Sequence, residues 1–377
     1  MSKIREALES ALRENPDDLA AAMAWADHAA EQGDPRGEFA QVQIALEDPS
    51  RTAPQREELA ARERELLEKH KYDWFGPLAG LFDGTEMFGM EYSSPRDNQF
   101  LFVRGWLDTL LIDCISPSLV EALRKCPAAL CLRELGINHE DYDQPCLDAL
   151  VQLEFLGSIR SFRLGDANDQ CRVHTRATPK VLRWMPRLEE LRLYASGRWM
   201  GEVFDLPLPR LRKLIAFHHH DYPLERLAAN ATMKNLVTLE CYPHGHEPGD
   251  DEAYIRTDGF LALAQSPHLP SLTHLMLRLH EIGDDAMQTF IDLGKLKQYQ
   301  SLDFLGGNFT DRTANALADC PDVRNLRKLD LTHNYLTGSA IARLREVIPH
   351  VIAEQQFDAS SGFDPDEREH LWYGDCE

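Results

Sequence analysis

One recurring pattern constrains this chain more than any other feature. From position 107 onward, an apolar residue, two variable residues, an apolar residue, one variable residue and a third apolar residue repeat in order, starting at Leu107, Leu132, Ile159, Leu188, Leu211, Leu236, Leu272, Tyr299 and Leu326. Successive starts lie 25, 27, 29, 23, 25, 36, 27 and 27 residues apart. A period of this length makes each copy one supersecondary unit that buries its apolar face only by stacking on its neighbours, so a solenoid is expected. The fullest copy, Leu326-Arg-Lys-Leu329-Asp-Leu331-Thr-His-Asn334-Tyr-Leu336, ends on an Asn whose side chain can bond backbone in the turn after the strand.

Helix-like stretches such as Thr313 to Ala318 and Ala340 to Val347 lie between the strands. Cys126-Pro127, Ser266-Pro267 and Cys320-Pro321 each stand six residues before the next repeat, where proline stops a helix and the small residue before it packs inward. Strand plus helix in every period gives an α/β chain. Over roughly residues 107–350 it resembles the ribonuclease-inhibitor-like leucine-rich repeats. That resemblance implies a horseshoe with a parallel sheet on the concave side and helices on the convex side. The interval of 36 residues after Leu236 is about ten too long for one turn, and Pro243 to Glu252 reads as an inserted loop.

The first 85 residues lack the repeat. Helices are expected over Ile4 to Asn15, Leu19 to Gln32, Arg36 to Glu47 and Gln55 to His70, separated by Asn15-Pro16-Asp17-Asp18, Gly33 and a Pro-containing break. Asn15-Pro-Asp-Asp, Trp25-Ala-Asp27, Gln32-Gly-Asp-Pro-Arg36-Gly-Glu-Phe39, Arg62-Glu-Arg-Glu-Leu-Leu67 and Trp74-Phe-Gly-Pro-Leu78 are similar to the bacterial repeat-companion domain, which precedes leucine-rich and other repeats. Phe102-Val-Arg-Gly105 fits the junction usual in such proteins. The expected organisation is a small all-α domain over residues 1–85, a junction over 86–106, the solenoid over 107–350, and a C-terminal cap with an acidic tail over 351–377. That resemblance brings no established activity with it.

A net charge of −22 argues against nucleic acid and anionic membranes, because phosphate binding needs a surplus of Lys and Arg. No apolar run is long enough to span a membrane, and the N-terminus has no hydrophobic signal region. The eight cysteines form no CxxC pair and no disulfide framework, so a reducing cytoplasm is the expected location.

Enzyme motifs are missing at this level: GxxxxGK[ST], GxSxG, HExxH and GxGxxG do not occur, and no cofactor is expected. Histidine offers the one metal-like signal. His218-His219-His220-Asp221 and the segment Cys241, His244, His246, Glu247 follow adjacent strands, and His219 and His244 share an offset of 8 from their repeat starts. Adjacent rungs are about 4.8 Å apart, so imidazoles from the two loops could share a zinc ion. Polar loop residues at a solenoid rim explain the same letters more simply, since no ligand pair has established zinc spacing.

Alternation along each strand points the fourth and sixth repeat residues into the core and the fifth and seventh onto the concave face. The seventh position reads Tyr194, Phe217, Tyr242 and Arg278 through the centre. The fifth reads Arg163, Arg192, Ile215, Glu240, Met276, Asp303 and Asp330. Three consecutive aromatics flanked by Ile215 and Met276, with Arg163, Arg192 and Arg278 beside them, form a candidate partner-binding stripe. Between Arg160 and Lys213 twelve Lys or Arg face six Asp or Glu, which favours a partner with an acidic segment. The functional expectation is a non-catalytic protein–protein interaction module using the concave face. Its alternative is a metal-binding protein or metal-dependent enzyme built on the His218–His220 and His244–His246 loops. The tail after Phe357 carries seven acidic residues against Arg368, together with Leu371-Trp372-Tyr373, and is a further candidate occupant of the concave face.

Overall fold

The computed structural model describes residues 3–80, 99–140, 145–166, 176–244 and 254–358. The chain divides into two compact units, Met1–Arg163 with Lys180–Arg187, and Leu164–Pro179 with Leu188–Glu377. Most of the inserted loop (245–253) and of the acidic tail (359–377) lies outside the described residues, as does His246.

The first unit opens with four helices, α1 (Lys3–Glu14), α2 (Leu19–Glu31), α3 (Pro35–Glu47) and α4 (Ala53–Phe75). Their starts obey local rules. The Asp18 carboxylate accepts from the Ala21 N–H at 3.0 Å, and the Asp34 carboxylate accepts from the Arg36 N–H at 3.0 Å with Pro35 opening the helix. Thr52 and Gln55 form a capping box ahead of α4, which extends beyond the expected Gln55 to His70 at both ends. Trp74 and Phe75, in its last turn, are buried.

Those helices dock on a hairpin within the same unit. Strand β1 (Gln99–Val103) pairs antiparallel with β2 (Trp106–Ile115) through Arg104-Gly105, and β2 pairs parallel with β3 (Glu134–Glu140). Gly105 has φ 82°, and a Cβ there would stand 2.9 Å from the Ala40 Cβ, so both conformation and space require glycine. The Gln43 amide spans the turn, accepting from the Gly105 N–H at 2.8 Å and donating to the Phe102 carbonyl at 2.9 Å. Arg104 forms a bidentate pair with Glu47, and Arg133 and Arg160 both reach Asp17. Burial alone would raise the Asp17 carboxyl, but the hydrogen bond and charge of Arg160, with Arg133 and Arg104, hold it below the usual range. Cys126 and Cys131 are buried, which pushes their thiols up to about 11 and about 12. Strand β4 (Ser161–Leu164) starts where the Arg160 and Ser161 N–H groups donate to the Arg133 carbonyl.

In the second unit, β5 (Glu190–Tyr194), β6 (Lys213–Phe217), β7 (Thr238–Tyr242), β8 (His274–Leu277), β9 (Ser301–Asp303), β10 (Lys328–Asp330) and β11 (His350–Ile352) pair in chain order. All of these pairs are parallel. Short helices such as Thr257–Gln265, Asp311–Asp319 and Gly338–Val347 return the chain between strands. This strand-and-return repetition builds an open parallel sheet with one strand per repeat, the arrangement that the leucine-rich-repeat resemblance implies. Fourth- and sixth-position residues Leu191, Leu193, Leu214, Ala216, Leu239 and Cys241 are fully buried, as the alternation required.

Several strands leave the sheet through the same turn. The eighth repeat residue takes a left-handed backbone in several copies: His218 (φ 71°), Leu279 (50°), Gly306 (68°) and His333 (54°). The ninth residue then faces inward. At this place Asn334 is fully buried; its amide donates to the Phe304, Leu331 and Thr332 carbonyls, each at 3.1 Å, and its oxygen accepts from the Phe309 N–H at 3.2 Å. That is the backbone-bonding role read from the sequence. In the repeat starting at Leu272 the ninth residue is His280, whose Nδ1 accepts from the Ile282 N–H at 3.1 Å and whose ring packs 5.2 Å from Phe309. The following repeat has Gly307 there, and a Cβ on it would meet the His280 ring at 2.3 Å. Gly307→Ala is therefore expected to destabilise by about 1–3 kcal/mol through overpacking. Chemical denaturation checks this, and an unchanged midpoint would show that the His280 ring yields freely.

Candidate functional site

Strand pairing brings Tyr194, Phe217 and Tyr242 into register on one face of β5, β6 and β7. The Tyr194 and Phe217 ring centroids are 5.5 Å apart and so are those of Phe217 and Tyr242, each pair edge-to-face at 80°. Neighbouring rungs force this spacing, and edge-to-face contact is the arrangement aromatic quadrupoles prefer. All three side chains are partly exposed. The Arg278 guanidinium continues the row, lying 5.4 Å from the Tyr242 ring centroid. Its Nη2 also pairs with the Asp303 carboxylate at 2.8 Å. Burial works against the Arg278 charge, yet the hydrogen bond and charge of Asp303, with Asp330 and Tyr242 behind, hold its pKa above the ordinary value.

The fifth-position row runs beside the rings: Arg192, Ile215, Glu240, Met276, Asp303 and Asp330 stand opposite one another on successive strands. Ile215 departs from the expected exposed stripe, since only 6% of it is exposed. Its row neighbours Arg192 and Glu240 have longer side chains, and a short branched residue between them is shielded. Met276 remains partly exposed. Arg163 belongs to the first unit, where its Nη2 donates to the Asn138 Oδ1 at 2.7 Å.

Some of the cations between Arg160 and Lys213 are paired inside the fold. Arg192 donates twice to Glu190, at 2.9 and 2.6 Å, and the Lys213 ammonium lies 3.4 Å from the same carboxylate. Burial would raise the Glu190 carboxyl, but Arg192 and Lys213 hold it below its ordinary value. Arg160 is held by Asp17. Arg160, Arg192 and Lys213 thus already have acidic neighbours within the fold.

The histidines separate into different roles. His218 occupies the left-handed turn position and is 3% exposed. His219 is fully buried, with its ring 4.6 Å from Trp199 and 6.0 Å from Tyr222. The Tyr222 hydroxyl fixes this turn, donating to the Ala216 carbonyl at 2.7 Å and accepting from the His219 N–H at 3.3 Å. His219 is the ninth residue of its repeat, the place Asn334 holds later, and it faces the core. His219 and His244, the pair the alternative metal reading would use, have neighbouring backbones, but the ring beside His244 is that of His220, at 5.1 Å. His220 also contacts the Ser196 hydroxyl at 3.0 Å. Cys241 is fully buried and burial raises its thiol well above the ordinary value, which disfavours a thiolate. Among the described residues, no three His, Cys, Asp or Glu side chains gather as a metal would need.

The outward face holds one further feature. A groove of about 250 Å³ lies along the third- and fifth-position rows, lined by Lys213, Glu240, His274, Met276, Asp303 and Lys328 among others. Its acidic residues were visible in the repeat register, but which of them stay unpaired was not, because pairing depends on side-chain reach between strands. Among the described residues, no helix is long and apolar enough to cross a membrane.

No family model matches the chain, and no curated protein matches it. Solved structures similar to it include a protein from Bacteroides fragilis, 17% identical, with 81% of this chain and 85% of that one covered at a TM-score of 0.48. An internalin from Listeria monocytogenes is 18% identical, with 62% and 70% covered at a TM-score of 0.34.

Proposed function

We propose that this chain is a non-catalytic protein-interaction module whose partner docks on the row Tyr194, Phe217 and Tyr242, continued by Arg278 and Met276. The observation that carries the reading is the row itself: partly exposed aromatic rings made contiguous by strand register. Aromatic and arginine side chains are the usual energetic centres of protein interfaces, since they bring large contact area at low entropic cost. The rest of the assignment, including Arg192 and Arg163, is peripheral to this row. A cytoplasmic protein partner suits the reduced cysteines and acidic charge.

The test replaces Tyr194, Phe217 and Tyr242 together with alanine and compares intact and variant protein in pull-downs from the native host, followed by titration of the recovered partner. Affinity is expected to fall by at least about 2 kcal/mol, roughly thirtyfold. Thermal stability should fall modestly, because the rings brace one another while leucines fill the core. Unchanged affinity would remove the site. A collapsed melt would mean that the rings belong to the core.

A further inference from the structure

We infer that the segment received by the ring row is cationic, a stretch of polypeptide bearing Lys or Arg, with Glu240 as the carboxylate that meets one of its charges. The inference rests on the binding reading above and specifies the partner's chemistry. Glu240 precedes Tyr242 by two residues on β7, so both side chains leave the same face. It is partly exposed, borders the groove, and makes no hydrogen bond or ion pair among the described residues.

On the neighbouring strands Arg278 pairs with Asp303, and Arg192 and Lys213 share Glu190. Lys328, also in the groove, stands on β10, three strands from β7, and makes no ion pair with Glu240 among the described residues. Glu240 is thus a carboxylate beside aromatic rings with no ion pair of its own among the described residues. This combination suits an ammonium or guanidinium, which gains an ion pair and a cation–π contact together. Arg278 over Tyr242 displays the second half of that geometry within the protein. At longer range the net charge of −22 attracts a basic partner and repels an acidic one, steering the encounter.

The experiment measures fluorescence anisotropy of the full chain with short labelled peptides identical except for carrying arginine, glutamate or glutamine. The arginine peptide should bind most tightly and weaken as salt rises from about 50 to about 500 mM. Glu240→Gln should weaken it about tenfold, and Phe217→Ala by a similar factor. Glu346→Gln removes an equal charge at an exposed position on the helix Gly338–Val347 and should leave affinity unchanged. No binding by the arginine peptide, tighter binding by the glutamate peptide, or equal effects of Glu240→Gln and Glu346→Gln would each overturn the inference. If Phe217→Ala weakens a peptide that Glu240→Gln does not, the ring row stands and the cationic occupant falls. If neither variant affects any peptide that binds, both readings fall.

Discussion

Trp25→Ala is expected to cost about 3–5 kcal/mol of stability. Trp25 is fully buried, its ring 4.6 Å from that of Trp106 in the first repeat strand. The Arg36 guanidinium lies 5.4 Å from one ring centroid and 5.2 Å from the other, and Arg36 as a whole is only 6% exposed. Truncation would remove a large apolar side chain and also strip one aromatic wall from a buried cation, so the upper part of the range applies. Because α2, α3 and β2 belong to one compact unit, helix loss by circular dichroism and tryptophan exposure by fluorescence should shift to lower urea together. A loss below about 1 kcal/mol would show that Trp25 does not anchor the helices to the repeat.

The parts of this architecture legible from sequence are those where a periodic position admits few alternatives. A leucine or its equivalent at the fourth and sixth positions has to face the core, and one register satisfies Leu191, Leu214, Leu239, Leu275, Leu302 and Leu329 at once. The N-terminal motif residues show a related logic. Asp17, Trp25, Arg36 and Phe39 are scattered along the chain, yet each contacts the β1–β2 hairpin or the strands beside it. Packing at the helix ends was less legible. Cys320 and Ser266 end their helices as expected, but Cys320 is only partly buried, while the Ser266 hydroxyl donates to the Ala228 carbonyl at 2.5 Å.

The site was legible in its apolar half and opaque in its charged half. Rings in one repeat position must align across parallel strands, which is why Tyr194, Phe217 and Tyr242 could be read as a row. Ion pairing follows instead from the rotamers of long side chains, and the reach of Arg192 back to Glu190 along its own strand leaves no periodic trace. The histidine tract was opaque in a similar way, because adjacent letters suggested one loop cluster whereas the backbone turn sends His218, His219 and His220 to three environments.

Of these, His219 gives the strongest expected pH dependence. Burial is the main cause that lowers its pKa from 6.5 to about 3, and the neighbouring His218 and His220 act in the same direction. A histidine with a depressed folded pKa stays neutral in the native state while the unfolded chain binds a proton below pH 6.5. Its contribution to stability is thus complete above about pH 6.5 and is lost as pH falls toward about 3. At roughly 1.36 kcal/mol per pH unit, acidifying from about pH 7 to pH 5 should remove about 2 kcal/mol through this one residue. His219→Asn places there the residue that the last full repeat uses at position 334, with no group to titrate. The variant is expected to be less stable at neutral pH, because a smaller side chain leaves space beside Trp199, but its stability should vary with pH by about 2 kcal/mol less over that interval. Urea midpoints at several pH values would measure both slopes, and parallel slopes would mean that the His219 ring is protonated in the fold or reached by water.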